Sequence, residues 1–449
     1  MSRAVVIGAG LAGCEAAWHL ANQGVLVDLM EQKPHRMSPA HHSGQFAELV
    51  CSNSLKAERA DSAAGLLKLE MRRLGSLCLA AADLCRVPAG GALAVDRDAF
   101  SARITACILA HPRIRVVEGE AESIPGEGVA IVATGPLTDG RLAADISRLC
   151  GESLSFYDAA APIVTAESVD PDFSFRASRY GREGEDGSGD YVNCPLDKAE
   201  YETFYHALVA AGTAPLKEFD RPRHYEGCMP VEALAARGED TLRFGPMKPV
   251  GLTDPRTGKR PWAVVQLRAE NAERSLYNLV GFQTNLTFPE QKRVFGLIPA
   301  LSRAAFARYG VMHRNTFLDS PRLLNPSFSL KAAPHIFFAG QITGVEGYME
   351  SAASGILAGF QAERILAGKP PLPFPKTTMT GALAAYISTE NPNFQPMGAN
   401  FGILPPLDEP PRGKRERYEA LSRRALADLE KTLNHVTDDV YSINGGLNP

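Results

Sequence analysis

Residues 3 to 32, RAVVIGAGLAGCEAAWHLANQGVLVDLMEQ, limit the possible folds more than any other stretch of the chain. Arg3 to Ile7 reads as a buried strand, Gly8, Gly10 and Gly13 fall in G-x-G-x-x-G spacing, and Leu11 to Gln23 keeps a helical apolar face until Gly24 stops it. Val25 to Met30 is a second strand, ending at Glu31. A parallel strand, helix, strand unit uses these parts in this order. The turn from Gly8 through Ala9, Gly10, Leu11, Ala12 and Gly13 lets a pyrophosphate approach the helix N-terminus, and Glu31 is placed to accept hydrogen bonds from ribose hydroxyls. Glycines alone would be weak evidence, but strand, helix, strand and acid together predict a dinucleotide site.

The far end of the chain narrows the dinucleotide. GVAIVATG (128 to 135) reads as a strand ending in a small-residue turn at Gly135, and HIFFAGQITGVEGYMESAASGILAG (335 to 359) repeats strand, glycine turn and small-residue helix. Gly347, Ser351, Ala352, Ala353, Gly355 and Gly359 let that helix approach the sheet or a ligand closely; an ordinary close-packed helix has the same signature. A first-strand fingerprint paired with a distant AGQITG turn resembles the FAD-binding fold of the glutathione-reductase type, with Gly340, Gln341 and Gly344 in its second cofactor turn. The expected class is α/β: an FAD-binding Rossmann fold with an inserted α+β domain. Its first part would be 1–161, the inserted substrate domain 162–315, and the second part with a C-terminal helical extension 316–449.

The chain has 449 residues, 45% of them hydrophobic, enough for a large core and two or three domains. The formal charge of -4 does not by itself suggest a polyanion partner, although RPRH (221 to 224), RTGKR (256 to 260) and RGKRER (412 to 417) concentrate positive charge locally. Solvated loops would look the same. The N-terminus does not read as a secretory signal and no apolar run is long enough to cross a bilayer. The expectation is a reduced, soluble, cytoplasmic protein without a membrane partner. KPPLPFP (369 to 375) reads as a link to a helix through GALAAYI, followed by a charged packing helix from about Lys414 to Leu433.

Eight cysteines with no Cys-x-x-Cys pair fit neither a zinc framework nor a disulfide scaffold, and no metal site is expected. Cys14, Cys78 and Cys107 lie in apolar helical stretches as small hydrophobes, and Cys85, Cys150 and Cys194 have no distinctive setting. Cys228, in YEGCMPVE, precedes a short helix that Pro230 would open and Gly238 end. Cys51, in AELVCSNSLKAE, is expected just before another helix, with Ser52, Asn53 and Ser54 as caps. A helix N-terminus and nearby cations such as Arg223, His224 or Lys56 favour a thiolate; Glu226 and Glu232 would oppose it.

GAGLAGCEAAW, EQKPHRMSPAHHSGQFAELVCSNSLKAE, YEGCMPVE, GPMKPVGL, RNTFLDSPRLL, FFAGQITGVEGYMESAASG and NFQPMGANFGILP together resemble the folate- and FAD-dependent tRNA (uracil-5-)-methyltransferases, the TrmFO family, from residue 3 to about residue 405. The resemblance implies reductive methylation of the T-loop uridine of tRNA that becomes ribothymidine. Its one-carbon donor would be 5,10-methylenetetrahydrofolate, acting through FAD, with NADH or NADPH as reductant. It implies that Cys228 attacks the uridine and that Cys51 takes a second role, removal of the C5 proton. Tyr348 and Glu350 would lie at the turn facing the flavin ring and His313 and Asn315 in the folate pocket, while the GPMKP turn would put Lys248 near the candidate tRNA-phosphate contacts. Arg221, Arg223, Arg256, Lys259 and Arg260 are candidates for tRNA phosphates. The wobble-uridine modifying flavoprotein MnmG shares the FAD segments in a longer chain, and a small-molecule FAD-dependent oxidoreductase would need those segments alone.

Overall fold

The computed structural model describes residues 2–151, 154–181, 189–215, 229–392 and 394–444. Cys228, Arg221 and Arg223 therefore lie outside the described residues, as do His224 and Glu226.

Five parallel strands form the first sheet, in the order Ile336–Phe338, Val129–Val132, Arg3–Ile7, Leu26–Glu31, Ile114–Glu118. Val129–Val132 is buried at every position, the pattern of a strand covered on both faces. The fingerprint helix, Leu11–Asn22, follows the first strand as its glycines require. The late helix, Tyr348–Leu366, crosses it at very short range: a Cβ on Gly355 would stand 2.1 Å from the Ala12 carbonyl oxygen, and one on Gly359 3.0 Å from that of Ala16. The small residues of the late helix thus serve close helix packing, while its N-terminal turn carries Tyr348 and Ser351 to the cavity described below.

A second sheet lies wholly within the middle of the chain. Its six antiparallel strands run Phe175–Ala177, Tyr191–Leu196, Ala263–Ala269, Leu276–Leu279, Ile163–Thr165, Phe306–Arg308. It has its own core, in which Phe204, Phe282 and Phe295 pack ring against ring. The helix Lys198–Val209 covers it, opened by a reciprocal capping box between Asp197 and Glu200. An antiparallel ribbon, Leu154–Ala159 with Met312–Phe317, stands where the chain enters and leaves this region. A further three-stranded sheet, Ser54–Ala57, Ala92–Val95 and Arg86–Val87, was not expected from sequence.

Several boundaries differ from expectation. The helix after Cys228 is only Val231–Ala235, with Pro230 as its N-cap instead of its first residue. The last helix, Lys414–Asn444, runs further than Leu433 and buries Leu421, Ala425 and Leu429, as a packing element should. Among the described residues no helix is long and apolar enough to cross a membrane.

Candidate active site

One cavity opens at the carboxyl ends of the parallel strands, where ligands of open α/β sheets bind. Gly8, Gly10, Leu11, Ala12, Glu31, Gly135, Gly340, Gln341, Tyr348, Cys51 and Asn315 all line it, although the chain separates some of them by more than 300 residues. The remaining expected cofactor residues stand behind its wall. Ala9 donates its N–H to Glu31 Oε2 at 2.7 Å, Gly13 packs against Gly8, and Gly344 is the left-handed cap of the short turn Gln341–Thr343. Glu350 is buried and holds Lys56 Nζ at 2.9 Å and the Ala399 N–H at 3.0 Å. It does not line the cavity but fixes the neighbouring chain.

The glycine turn fits a pyrophosphate. A Cβ placed on Gly10 would meet nothing within 4 Å, whereas one on Gly13 would stand 1.8 Å from the Gly8 carbonyl oxygen. Gly10 leaves open room on the cavity side; Gly13 allows the helix to seat on the strand. No side chain caps the fingerprint helix at Gly10 or the late helix at Gly347, so both N-termini keep N–H groups for a ligand. Glu31 spans the Ala9 and Lys33 N–H groups at 2.7 and 2.9 Å and holds the end of the second strand against the glycine turn. Lys33, Ser38, His41 and Glu48 complete this rim. They belong to the EQKPHRMSPAHHSGQFAE stretch, where no regular period marks them as functional. Burial lowers His41 from its ordinary value, so it faces the cavity as a neutral ring.

Cys51 stands at the wall of the same cavity, but not at a helix. It is followed by the strand Ser54–Ala57, which corrects the expected cap: Cys51 does not precede a helix in its own segment. The polar run is used differently: Asn53 is fully buried, donating to the Val95 and Ala269 carbonyls at 3.0 and 2.9 Å. The Tyr348 hydroxyl accepts the N–H groups of Cys51 and Ser52 at 2.7 and 3.1 Å and lies 3.0 Å from Cys51 Sγ. With both oxygen lone pairs engaged, the phenolic proton is left to point at the sulfur. Burial first, then the neighbouring sulfur, push the Tyr348 phenol well above its ordinary range, so it remains a donor. A sulfur that accepts this hydrogen bond is favoured as thiolate.

The remaining cysteines behave as packing groups where they are described. Burial pushes the thiols of Cys14 and Cys78 well up and that of Cys194 up to about 12. Asn315 is buried on the ribbon, and His313 lies two positions earlier on the same strand, in register with Asp158. Lys248, Lys259 and Arg260 are exposed on loops of the second sheet, outside the cavity. Arg256 is tied to Asp254 by a 2.7 Å ion pair and donates to the Asp172 carbonyl.

Parallel sheet, open glycine turn, acid-tipped second strand and a late helix ending on the same cavity define an FAD-binding fold of the doubly wound type. The chain matches the family model "Glucose inhibited division protein A" over residues 3–370. It is 58% identical over 428 residues to the methylenetetrahydrofolate–tRNA-(uracil-5-)-methyltransferase TrmFO of Pelotomaculum thermopropionicum, covering 95% of this chain and 97% of that one. The TrmFO of Heliobacterium modesticaldum is 59% identical over the same shares. In structure it is similar to GidA of Aquifex aeolicus, with a TM-score of 0.70 at 17% identity over 96% of this chain and 76% of that one. The chain belongs to the GidA family and, within it, to the TrmFO proteins.

Proposed function

We propose that this chain methylates C5 of a tRNA uridine, the T-loop position that becomes ribothymidine, with 5,10-methylenetetrahydrofolate as one-carbon donor and NADH or NADPH as reductant. In this reading it works in the cytoplasm, with the T-arm of tRNA as its macromolecular partner. The observation that carries the reading is Cys51, a thiol on the wall of a dinucleotide cavity, held by a partly buried tyrosine from the other end of the chain.

Gly8 to Gly13, Glu31, Gly135, Gly340 and Gln341 are the residues suited to hold FAD. FAD, when bound and reduced, supplies the hydride that turns a methylene carbon into a methyl. The protein's part begins with uracil C5, a poor nucleophile until a thiolate adds at C6. That step is assigned to Cys228. The new C6–S bond makes C5 an enolate carbon, which bonds to the one-carbon unit. A base must then take the C5 proton, whose electron pair expels the donor nitrogen and leaves an exocyclic methylene; hydride addition at that carbon completes the methyl and re-forms the C5=C6 bond as the Cys228 sulfur departs. Cys51 takes that proton as thiolate and becomes a thiol. Asn315 is suited to orient folate, and Tyr348 offers an aromatic ring at the cavity wall for stacking.

The test is to incubate purified protein with unmodified tRNA transcript, methylenetetrahydrofolate and NADH, and to look for 5-methyluridine by nucleoside mass spectrometry, beside a folate-free control with S-adenosylmethionine. Product that requires folate is expected. Its absence with flavin bound and tRNA intact would sink the reading. Cys228→Ala should retain flavin and lose methyl transfer.

A further inference from the structure

The segment carrying Cys51 is clamped by two arginines from elements remote in sequence. Arg97, first residue of the helix Arg97–Ala110, donates to the Leu49 carbonyl at 2.7 Å. Arg268, on the strand Ala263–Ala269 of the second sheet, donates to Asn53 Oδ1 and Ser52 Oγ, each at 2.8 Å. The two guanidinium groups therefore grip the chain on either side of Cys51. Arg308, on the strand Phe306–Arg308, adds a third positive charge that acts on both Cys51 and Tyr348.

Charge balance shows that these cations are not there only for each other. Glu270 pairs with Arg97 at 2.6 Å and also acts on Arg268. Glu48, on the segment's own side, is held by the His42 and Ser43 N–H groups and lies 4.0 Å from Lys33. Tyr191 and Tyr348, the other ionisable neighbours, are both raised, first by burial, and stay neutral. Among the described residues the three arginines thus face two acids, Glu270 at Arg97 and Arg268 and Glu48 at Arg308. Among the described residues Arg97 Nε, Arg308 Nη2 and Glu270 Oε1 are buried without a hydrogen-bond partner: the three arginines outnumber the acids beside them, and their hydrogen bonding is incomplete. Burial works against the Arg97 charge, yet Glu270, Tyr348 and Cys51 outweigh it and hold Arg97 above its ordinary value.

We propose that Arg97, Arg268 and Arg308 are positioning residues that hold Cys51 as a thiolate at neutral pH, in the place of a helix that would begin at its own segment. The mechanism is electrostatic: a desolvated cation within a few ångströms favours the charged form of a thiol. Arg268 and Arg308 come from the second sheet and Arg97 from a helix beside the first, so the thiolate is formed only where the second sheet meets the segment that carries Cys51. This deepens the methyl-transfer reading by naming what readies Cys51 as a base, but its test needs neither tRNA nor folate.

The experiment is iodoacetamide alkylation of the flavin-loaded protein across pH 5 to 10, following the Cys51 peptide by mass spectrometry. In the unaltered protein the midpoint should lie below the ~8.5 of a free thiol. Arg308→Gln removes charge without touching the 49–53 segment and should raise the midpoint by about one unit, an approximately tenfold slower reaction at pH 7. Arg268→Gln should raise it too, and Arg268→Lys should restore most of the shift. Should Arg268→Gln lose its flavin, Arg308→Gln still decides. An unchanged midpoint in Arg308→Gln, a midpoint at or above 8.5 in the unaltered protein, or a Cys51 that stays unreacted while Cys107 is alkylated would each overturn the proposal, whatever becomes of methyl transfer.

Discussion

Individual side chains at the cavity divide into those that serve a ligand and those that serve the fold, and the two glycines of the fingerprint separate the roles. Gly10→Ala adds a methyl where the protein has nothing within 4 Å, so thermal stability of the flavin-free protein should stay the same while flavin content falls steeply. Gly13→Ala drives a methyl to 1.8 Å from the Gly8 carbonyl and should lower stability by about 1–3 kcal/mol with or without flavin. Melting curves and flavin absorbance of the two variants, read together, check this; equal destabilisation by both would remove the ligand role of Gly10. Tyr348→Phe keeps the ring and removes the bond to Cys51 Sγ, leaving the Cys51 and Ser52 N–H groups without their acceptor. Flavin should remain bound while methyl transfer drops at least about tenfold, consistent with ~1–3 kcal/mol for an orphaned polar group. Full activity would show that the sulfur does not depend on the phenol.

At the scale of elements, the helix Met379–Tyr386 is held by a carboxylate from far away in sequence. Glu70, on the helix Ala63–Arg73, accepts from the Met379 N–H at 2.7 Å, the Thr380 N–H at 2.8 Å and the Thr380 hydroxyl at 2.8 Å. Burial outweighs these three bonds and raises Glu70 from 4.5 to about 7. The folded chain therefore keeps a proton that the unfolded chain loses, and stability falls as pH rises between 4.5 and about 7, then levels off. Glu70→Gln cannot ionise, so the stability difference between parent and variant should change by on the order of 3 kcal/mol across that window. Denaturant unfolding at several pH values measures it, and parallel curves would refute the argument. Glu70 also marks the limit of what the chain spells out locally. The strand, glycine turn and helix of residues 3 to 31 are legible because their partners are neighbours in sequence. The polar run after Cys51 reads as a helix cap until Asn53 is seen bonded to Ala269, 216 residues away. The arginine clamp is invisible for the same reason: neither Arg97 nor Arg268 has a local pattern that sets it apart from a surface arginine.

For the whole molecule, two separate cores meet at the segment that carries Cys51 to the cavity wall. Asn53 with Ala269, Arg268 with Ser52, Arg97 with Glu270 and Gly90 with Asp190 join the parallel sheet's surroundings to the second sheet. A tRNA that reaches this junction carries dense negative charge to a chain whose formal net charge is -4, so attraction must come from local cations that are not already paired within the fold. On the second sheet's loops Lys248, Lys259 and Arg260 are exposed, and Phe244, four residues before Lys248, is 79% exposed beside them in sequence. Arg243 is occupied, its guanidinium 3.6 Å from the centre of the Trp262 ring, and Arg256 is occupied by Asp254. The prediction is therefore asymmetric within one basic cluster. Replacing Lys248, Lys259 and Arg260 with Ala should weaken tRNA binding and flatten the plot of log affinity against log salt by roughly two units, at ~0.7–0.9 per lost phosphate contact. Arg256→Ala should leave that slope nearly unchanged and instead lower thermal stability, because it strands Asp254. Filter binding across a salt series, with melting curves for each variant, separates the two effects. If the triple variant kept the parent slope, tRNA would have to dock on another face, and the basic run at 412 to 417 would be the next surface to neutralise.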